Sequence, residues 1–144
     1  MEKKFQFSAA GRRTLELFIA AVIGDAVPGD QKPTPAAVVK EVEKFASRLP
    51  LLYRGGFALV LRVLEMGSMV TGFRRPFSRL TPGERLAYLN GLEQSEQYLR
   101  RALILLLKSP VLLVYFSDPA MEAMIGYDHA CLLKARPHPA HRSA

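Results

Sequence analysis

The sequence predicts an all-α chain, a single-domain bundle of about five helices over residues 1–133 with a flexible tail over 134–144. Three observations carry that expectation. Apolar residues recur at every third or fourth position through most of the chain, and capping residues stand directly before those stretches. No run alternates with the period of two that a half-buried strand requires. At 144 residues and 49% apolar, the chain has the length of one domain and ample material for a core.

Ser8 caps the first predicted helix, which runs to about Gly24 with Leu15, Phe18, Ile19, Val22 and Ile23 on one stripe. Asp25 to Thr34 holds Pro28, Gly29, Asp30 and Pro33 and reads as a loop. Thr34 followed by Pro35 is a cap with proline at the first helical position, so a second helix starts there. It turns Val38, Val42, Phe45 and Leu49 inward and Lys40, Glu41, Glu43 and Lys44 to water, and ends before Pro50.

From Pro50 to Gly72 the helical pattern is apolar nearly all round. Phe57, Val60, Leu61 and Leu64 form one stripe, and Leu59, Val63, Met66 and Val70 form another. A helix with two apolar faces lies centrally in a bundle or shows one face to a partner. Gly55-Gly56 near its start reads as a kink or a close helix crossing.

Thr81-Pro82-Gly83-Glu84 is a capping box that opens a long leucine-rich helix to about Lys108. Pro110 restarts a shorter piece through Val114, and Asp118-Pro119 caps another that ends at Gly126. Beyond Leu133 no apolar period remains, hence the expected tail.

The net charge of +7 is unevenly placed. Residues 1–15, 66–83 and 129–144 each carry +3, residues 16–65 carry none and residues 84–128 carry −2. A nucleic-acid binder would show a continuous basic stripe with groups able to reach bases, so no nucleic-acid partner is expected. Arg12-Arg13 ahead of the apolar 17–23 superficially suggests an export signal. Glu16 interrupts that run, Asp25 and Asp30 follow it and no small-residue cleavage site is evident, so the segment reads as a mature helix. In 102–116, Lys108-Ser109-Pro110 divides two apolar runs, each well short of the roughly 20 residues needed to span a bilayer.

Little in the sequence points to chemistry. The single Cys131 excludes an internal disulfide framework and a multi-cysteine zinc site. His129 and Cys131 fall on roughly opposite faces of a helix, and with His138 and His141 they make a poor metal set beside the four-ligand geometry of structural zinc. Glu93 and Glu96 lack the Glu-x-x-His partners of a di-iron bundle. The glycines never form a phosphate-binding loop, so no nucleotide or flavin site is expected in this chain.

More specialised are the polar-aromatic joints between helices. Arg75-Pro76-Phe77-Ser78-Arg79-Leu80-Thr81-Pro82-Gly83-Glu84-Arg85, a leucine-rich helix, Tyr115-Phe116-Ser117-Asp118-Pro119 and Ile125-Gly126-Tyr127-Asp128 follow in that order. In these motifs the chain resembles the small (gamma) accessory subunit of gluconate 2-dehydrogenase-type enzymes. It is also similar to the helical region preceding the flavin domain of long-chain alcohol oxidases of the glucose-methanol-choline class. Ser8 to Asp30, ending in Ala26-Val27-Pro28-Gly29-Asp30, fits the same families' opening helix, and the resemblance covers roughly residues 8–131.

The resemblance implies a non-catalytic partner of a separate FAD-dependent alcohol or sugar oxidoreductase, with the FAD and the catalytic histidine on the large chain. Some relatives also travel with a cytochrome, in a membrane-associated complex, and are exported through a twin-arginine signal on the small subunit. Lacking a credible leader, this chain is expected in the cytoplasm or at a membrane, or in the periplasm if an exported partner carries it. No catalytic residue carries over. Residues expected to face the large subunit, or to shape the face toward it, are Phe73, Arg74, Arg75, Phe77, Arg79, Tyr115, Phe116, Asp118, Tyr127 and Asp128. Arg and Tyr suit such a role because each brings large area with directed hydrogen bonds. A second reading is a peripheral membrane or lipid-binding protein that seats 102–116 at an interface with Arg100, Arg101 and Lys108 nearby. A third is a small enzyme using His129 with Glu or Asp groups.

Overall fold

The structure, a computed structural model, describes residues 5–24, 33–124 and 126. It is all-α, and among these residues six α-helices and one short 3-10 turn form. Helix α1 (Ala9–Ile23) starts where Ser8 Oγ accepts the Gly11 N–H at 3.1 Å. Helix α2 (Pro35–Ser47) starts where Thr34 Oγ1 accepts the Ala37 N–H at 3.3 Å. Helix α3 (Leu51–Val70) follows after a corner at Pro50. There the Arg54 guanidinium donates to the Leu49 carbonyl at 2.8 Å, the Ala46 carbonyl at 3.2 Å and the Ser47 carbonyl, satisfying acceptors that the end of α2 leaves open.

The 3-10 turn Phe77–Arg79 leads into α4 (Pro82–Glu93), whose capping box is complete. Thr81 Oγ1 accepts the Glu84 N–H at 3.3 Å, and Glu84 Oε2 accepts the Thr81 N–H at 2.9 Å. Helices α5 (Tyr98–Phe116) and α6 (Pro119–Met124) complete the described fold. Helix α1 packs on α2, α3 and α4, while α5 packs on α2, α3, α4 and α6. Leu15, Phe18 and Ile19 of α1, Leu61 and Leu64 of α3, and Ile104, Leu107 and Val111 of α5 are buried between them. The apolar stripe of α1 therefore lies in the core, as its spacing predicts.

Four expectations are corrected. The long helix from Thr81 to Lys108 is two helices, broken at 94–97 where the Ser95 hydroxyl accepts the Gln97 N–H at 3.2 Å. A serine that bonds its own backbone competes with helix at that point. Pro110, by contrast, sits inside α5 and does not restart it, because tertiary packing on both sides of the proline holds one continuous helix. Glu43 does not face water: it is buried with Val39, Val42 and Ala46, while Phe45 and Leu49 are half-buried. Its carboxylate is drawn inward by the Phe7 N–H at 3.0 Å and by two Arg12 contacts at 2.8 and 2.9 Å. Gly55-Gly56 marks neither a break nor a crossing within this chain, since α3 runs unbroken through both and a Cβ at either would meet nothing within 4 Å.

The expected tail over 134–144, the His129–Cys131 pair and residues 25–32 of the expected loop lie outside the described residues.

Candidate docking surface

Helix α3 turns its first apolar stripe inward through Leu61 and Leu64. Its second stripe stays largely exposed among the described residues: Leu59, Val63, Met66 and Val70 are between 46% and 87% exposed, and Leu52 extends the row by two further turns. Their spacing of three and four residues puts them on one side of a helix whose 20 residues span about 30 Å. Isolated exposed leucines are ordinary on protein surfaces, but a continuous apolar row of this length is a candidate interaction face.

Helix α5 extends the face. Val63, Gly67 and Val70 of α3 share a cleft of about 150 Å³ with Tyr88 and Leu92 of α4 and Arg100 and Leu103 of α5. Leu99 and Leu106 stand one turn to either side of Leu103 and are exposed. Tyr88 forms the floor, its hydroxyl donating to the Leu64 carbonyl at 3.3 Å. Burial pushes its phenol up to about 12 from an ordinary 10.0, partly opposed by the charge of Arg100, so it remains a donor at neutral pH.

The joint between α3 and α4 fixes the position of this face. Glu65 on the inner side of α3 accepts the Thr14 hydroxyl at 3.0 Å, the Ser78 N–H at 3.2 Å and the Ser78 hydroxyl, binding α1, α3 and the 3-10 turn together. Ser68, fully buried, donates to the Arg75 carbonyl at 2.7 Å. Arg85 donates to the carbonyls of Phe77 and Ser78 at 3.2 and 3.1 Å and lies 5.9 Å over the Phe77 ring.

The ten residues singled out from the sequence separate into distinct environments. Phe77 and Tyr115 are core residues, so they bear on any surface through packing and not by touching a partner. Phe73 is half-buried, its ring set edge-to-face against Tyr88 with the centroids 6.1 Å apart. Arg75 pairs with Glu84 at 2.8 Å, and Arg74 and Arg79 are exposed. Phe116 is partly exposed against the edge of Tyr115, and Asp118 caps α6 by accepting the Ala120 N–H at 2.9 Å. Tyr127 and Asp128 lie outside the described residues. Among the described residues no hydrogen bond or ion pair joins 73–80 to 115–118, which end different helices. Sequence reading missed Glu65 and Glu43, which it could have found only from the elements that supply their donors.

A broader groove of about 690 Å³ runs between α2 and the end of α5, lined by Lys40, Lys44, Arg48, Phe45, Leu113 and Asp118 among others. Its cations lie on the wet side of α2, and Lys44 is already engaged with Glu41 at 3.5 Å. No helix among the described residues is long and apolar enough to cross a membrane, and no cluster of three His, Cys, Asp or Glu residues among them is arranged to hold a metal.

In comparisons with known proteins, no family, no curated protein and no solved structure matches the chain.

Proposed function

We propose that this chain is a non-catalytic helical subunit that docks on a larger protein through the outer face of α3 and the adjoining part of α5, stabilising or maturing that protein by binding its folded form. The row of exposed apolar side chains along α3 carries the reading. The fold turns the other stripe of α3 inward and leaves this one largely exposed among the described residues, with Val63 and Val70 at the α3–α5 cleft. The motif resemblance names the class of partner: an FAD-dependent alcohol or sugar oxidoreductase of the glucose-methanol-choline class, which would hold the flavin and the reacting groups. The compartment is then the partner's own.

The test is co-expression with an FAD-dependent oxidoreductase of that class from the same genome. Expected is a complex that co-purifies with flavin absorbance and is lost on substituting Leu59→Glu with Met66→Glu, two exposed positions whose change leaves the core untouched. A chain that purifies as a monomer and never retains a flavoprotein overturns the reading.

A second reading has its own observation. Leu99, Leu106 and Leu113 are exposed on α5 beside Arg100, Arg101 and Lys108, an arrangement able to lie on an anionic bilayer. Salt-sensitive flotation with anionic vesicles, in the absence of any protein partner, would favour it.

A further inference from the structure

The two helices that form the docking face carry charge of one sign. Helix α3 holds Arg54 and Arg62, and α5 holds Arg100, Arg101 and Lys108, against the single carboxylate of Glu65. That carboxylate is turned away, toward Thr14 and Ser78. Arg54 is engaged with the end of α2, Arg101 donates to the Ser95 and Glu96 carbonyls, and Lys108 is paired with Glu93. Arg62 and Arg100 remain, one on the outer side of α3 beside Val63 and the other lining the cleft, and neither forms an ion pair among the described residues.

We infer that the occupant of this face is an acidic amphipathic helix presented by the partner protein, lying along α3 with its apolar side chains in the α3–α5 cleft and its carboxylates on Arg62 and Arg100. The inference rests on the docking reading above and names the element that the partner contributes. Charge complementarity carries it. A second copy of this chain related by two-fold symmetry would meet the face with the same unpaired arginines, and like charges would oppose the contact. A bilayer would leave the concave cleft between α3, α4 and α5 unfilled, whereas an apolar anchor side chain of a docked helix fits such a cleft. The same geometry gives Gly55 and Gly56 a use. Each has open space where a side chain would stand, and together they let another helix backbone approach α3 closely near its N-terminal end.

The probe is a designed peptide of about 20 residues, as long as α3, with leucines at three- and four-residue spacing flanked by glutamates. It is titrated into the full-length protein beside the same peptide with lysines in place of glutamates. Expected is binding of the acidic peptide at least about tenfold tighter than the basic one, weakened about tenfold by Arg62→Glu with Arg100→Glu. Gly56→Leu should weaken it as well, with melting curves confirming that the variants fold. Equal binding of both peptides, or binding of neither, overturns the inference. So does a concentration-dependent dimer, or flotation with phosphatidylglycerol vesicles that Gly56→Leu leaves unchanged. If neither peptide binds while the flavoprotein still co-purifies, this inference falls and the docking reading stands. Charge-selective peptide binding without a co-purifying flavoprotein upholds the acidic helix as the occupant and removes the flavoprotein as the partner that presents it.

Discussion

A methyl group on Gly67 would stand 2.5 Å from the Tyr88 hydroxyl oxygen, closer than side chains pack. Tyr88 cannot easily yield, because its hydroxyl is held by the Leu64 carbonyl and its ring by Phe73 and Phe77. Gly67→Ala should therefore destabilise the fold by about 1–3 kcal/mol despite the better helix propensity of alanine. Gly55→Ala and Gly56→Ala meet open space and should each stabilise the isolated chain by up to about 1 kcal/mol. Urea unfolding of the three variants decides, and a Gly67→Ala protein as stable as the parent would show that Tyr88 is free to move.

Arg12 and Glu43 form a bidentate pair of unequal partners. Glu43 is 7% exposed at its side chain and Arg12 38%. Arg12→Ala leaves a buried carboxylate with only the Phe7 N–H, so a loss of about 2–4 kcal/mol is expected. Glu43→Ala should cost less, since the freed guanidinium can return to water. Thermal melts of both variants at neutral pH would refute this ordering if Glu43→Ala proved the worse.

The Tyr115 hydroxyl is buried and, among the described residues, has no hydrogen-bond partner. Burial, with the charge of Asp118 adding to it, raises its phenol above the ordinary 10.0. Removing an unsatisfied hydroxyl while keeping the ring should be harmless or stabilising, so Tyr115→Phe is expected to gain up to about 1 kcal/mol. A lowered melting temperature would reveal a partner for the hydroxyl.

Two groups give the fold a pH-dependent contribution of stated sign. The Thr81 N–H, with Arg75 beside it, holds the Glu84 carboxyl below its ordinary 4.5. The capping box thus contributes stability that is intact above 4.5 and lost as pH falls below it. Tyr88, pushed up to about 12, has the opposite sense: its contribution is whole below 10.0 and declines as pH rises toward 12. Glu84→Gln should flatten the acid limb and Tyr88→Phe the alkaline limb of a denaturation midpoint plotted against pH. Unchanged limbs would assign them to other groups.

Much of the fold was legible because its signals are local. Ser8, Thr34 and the Thr81–Glu84 box announce three helix starts by residue type alone, and each cap forms as expected. Two of the misread positions depend on distant residues, whereas the break at 94–97 has a local cause in Ser95. Pro110 is a helix breaker by its own chemistry, yet α5 packs against α2, α3 and α4 and stays whole. Glu43 is polar by its own chemistry, yet Arg12 and Phe7, more than 30 positions away, bring it inside. The proposed docking face was half legible: the second stripe of α3 is visible in the spacing, but only the packed structure shows that it stays exposed among the described residues.

Arg54 has a consequence for motion. By bonding three carbonyls at the end of α2 from the first turn of α3, it welds the corner at Pro50, and its guanidinium also sits 5.7 Å over the Phe5 ring. Helices α2 and α3 are then expected to move as one arm, with the bundle opening first at the 94–97 turn, which among the described residues Ser95 and Arg101 brace with side-chain bonds. Amide hydrogens should exchange slowly around Leu49–Arg54 and quickly around Ser95–Gln97. The outer row of α3 would then be a surface carried on a stiff support, with the give of the molecule located at its far side.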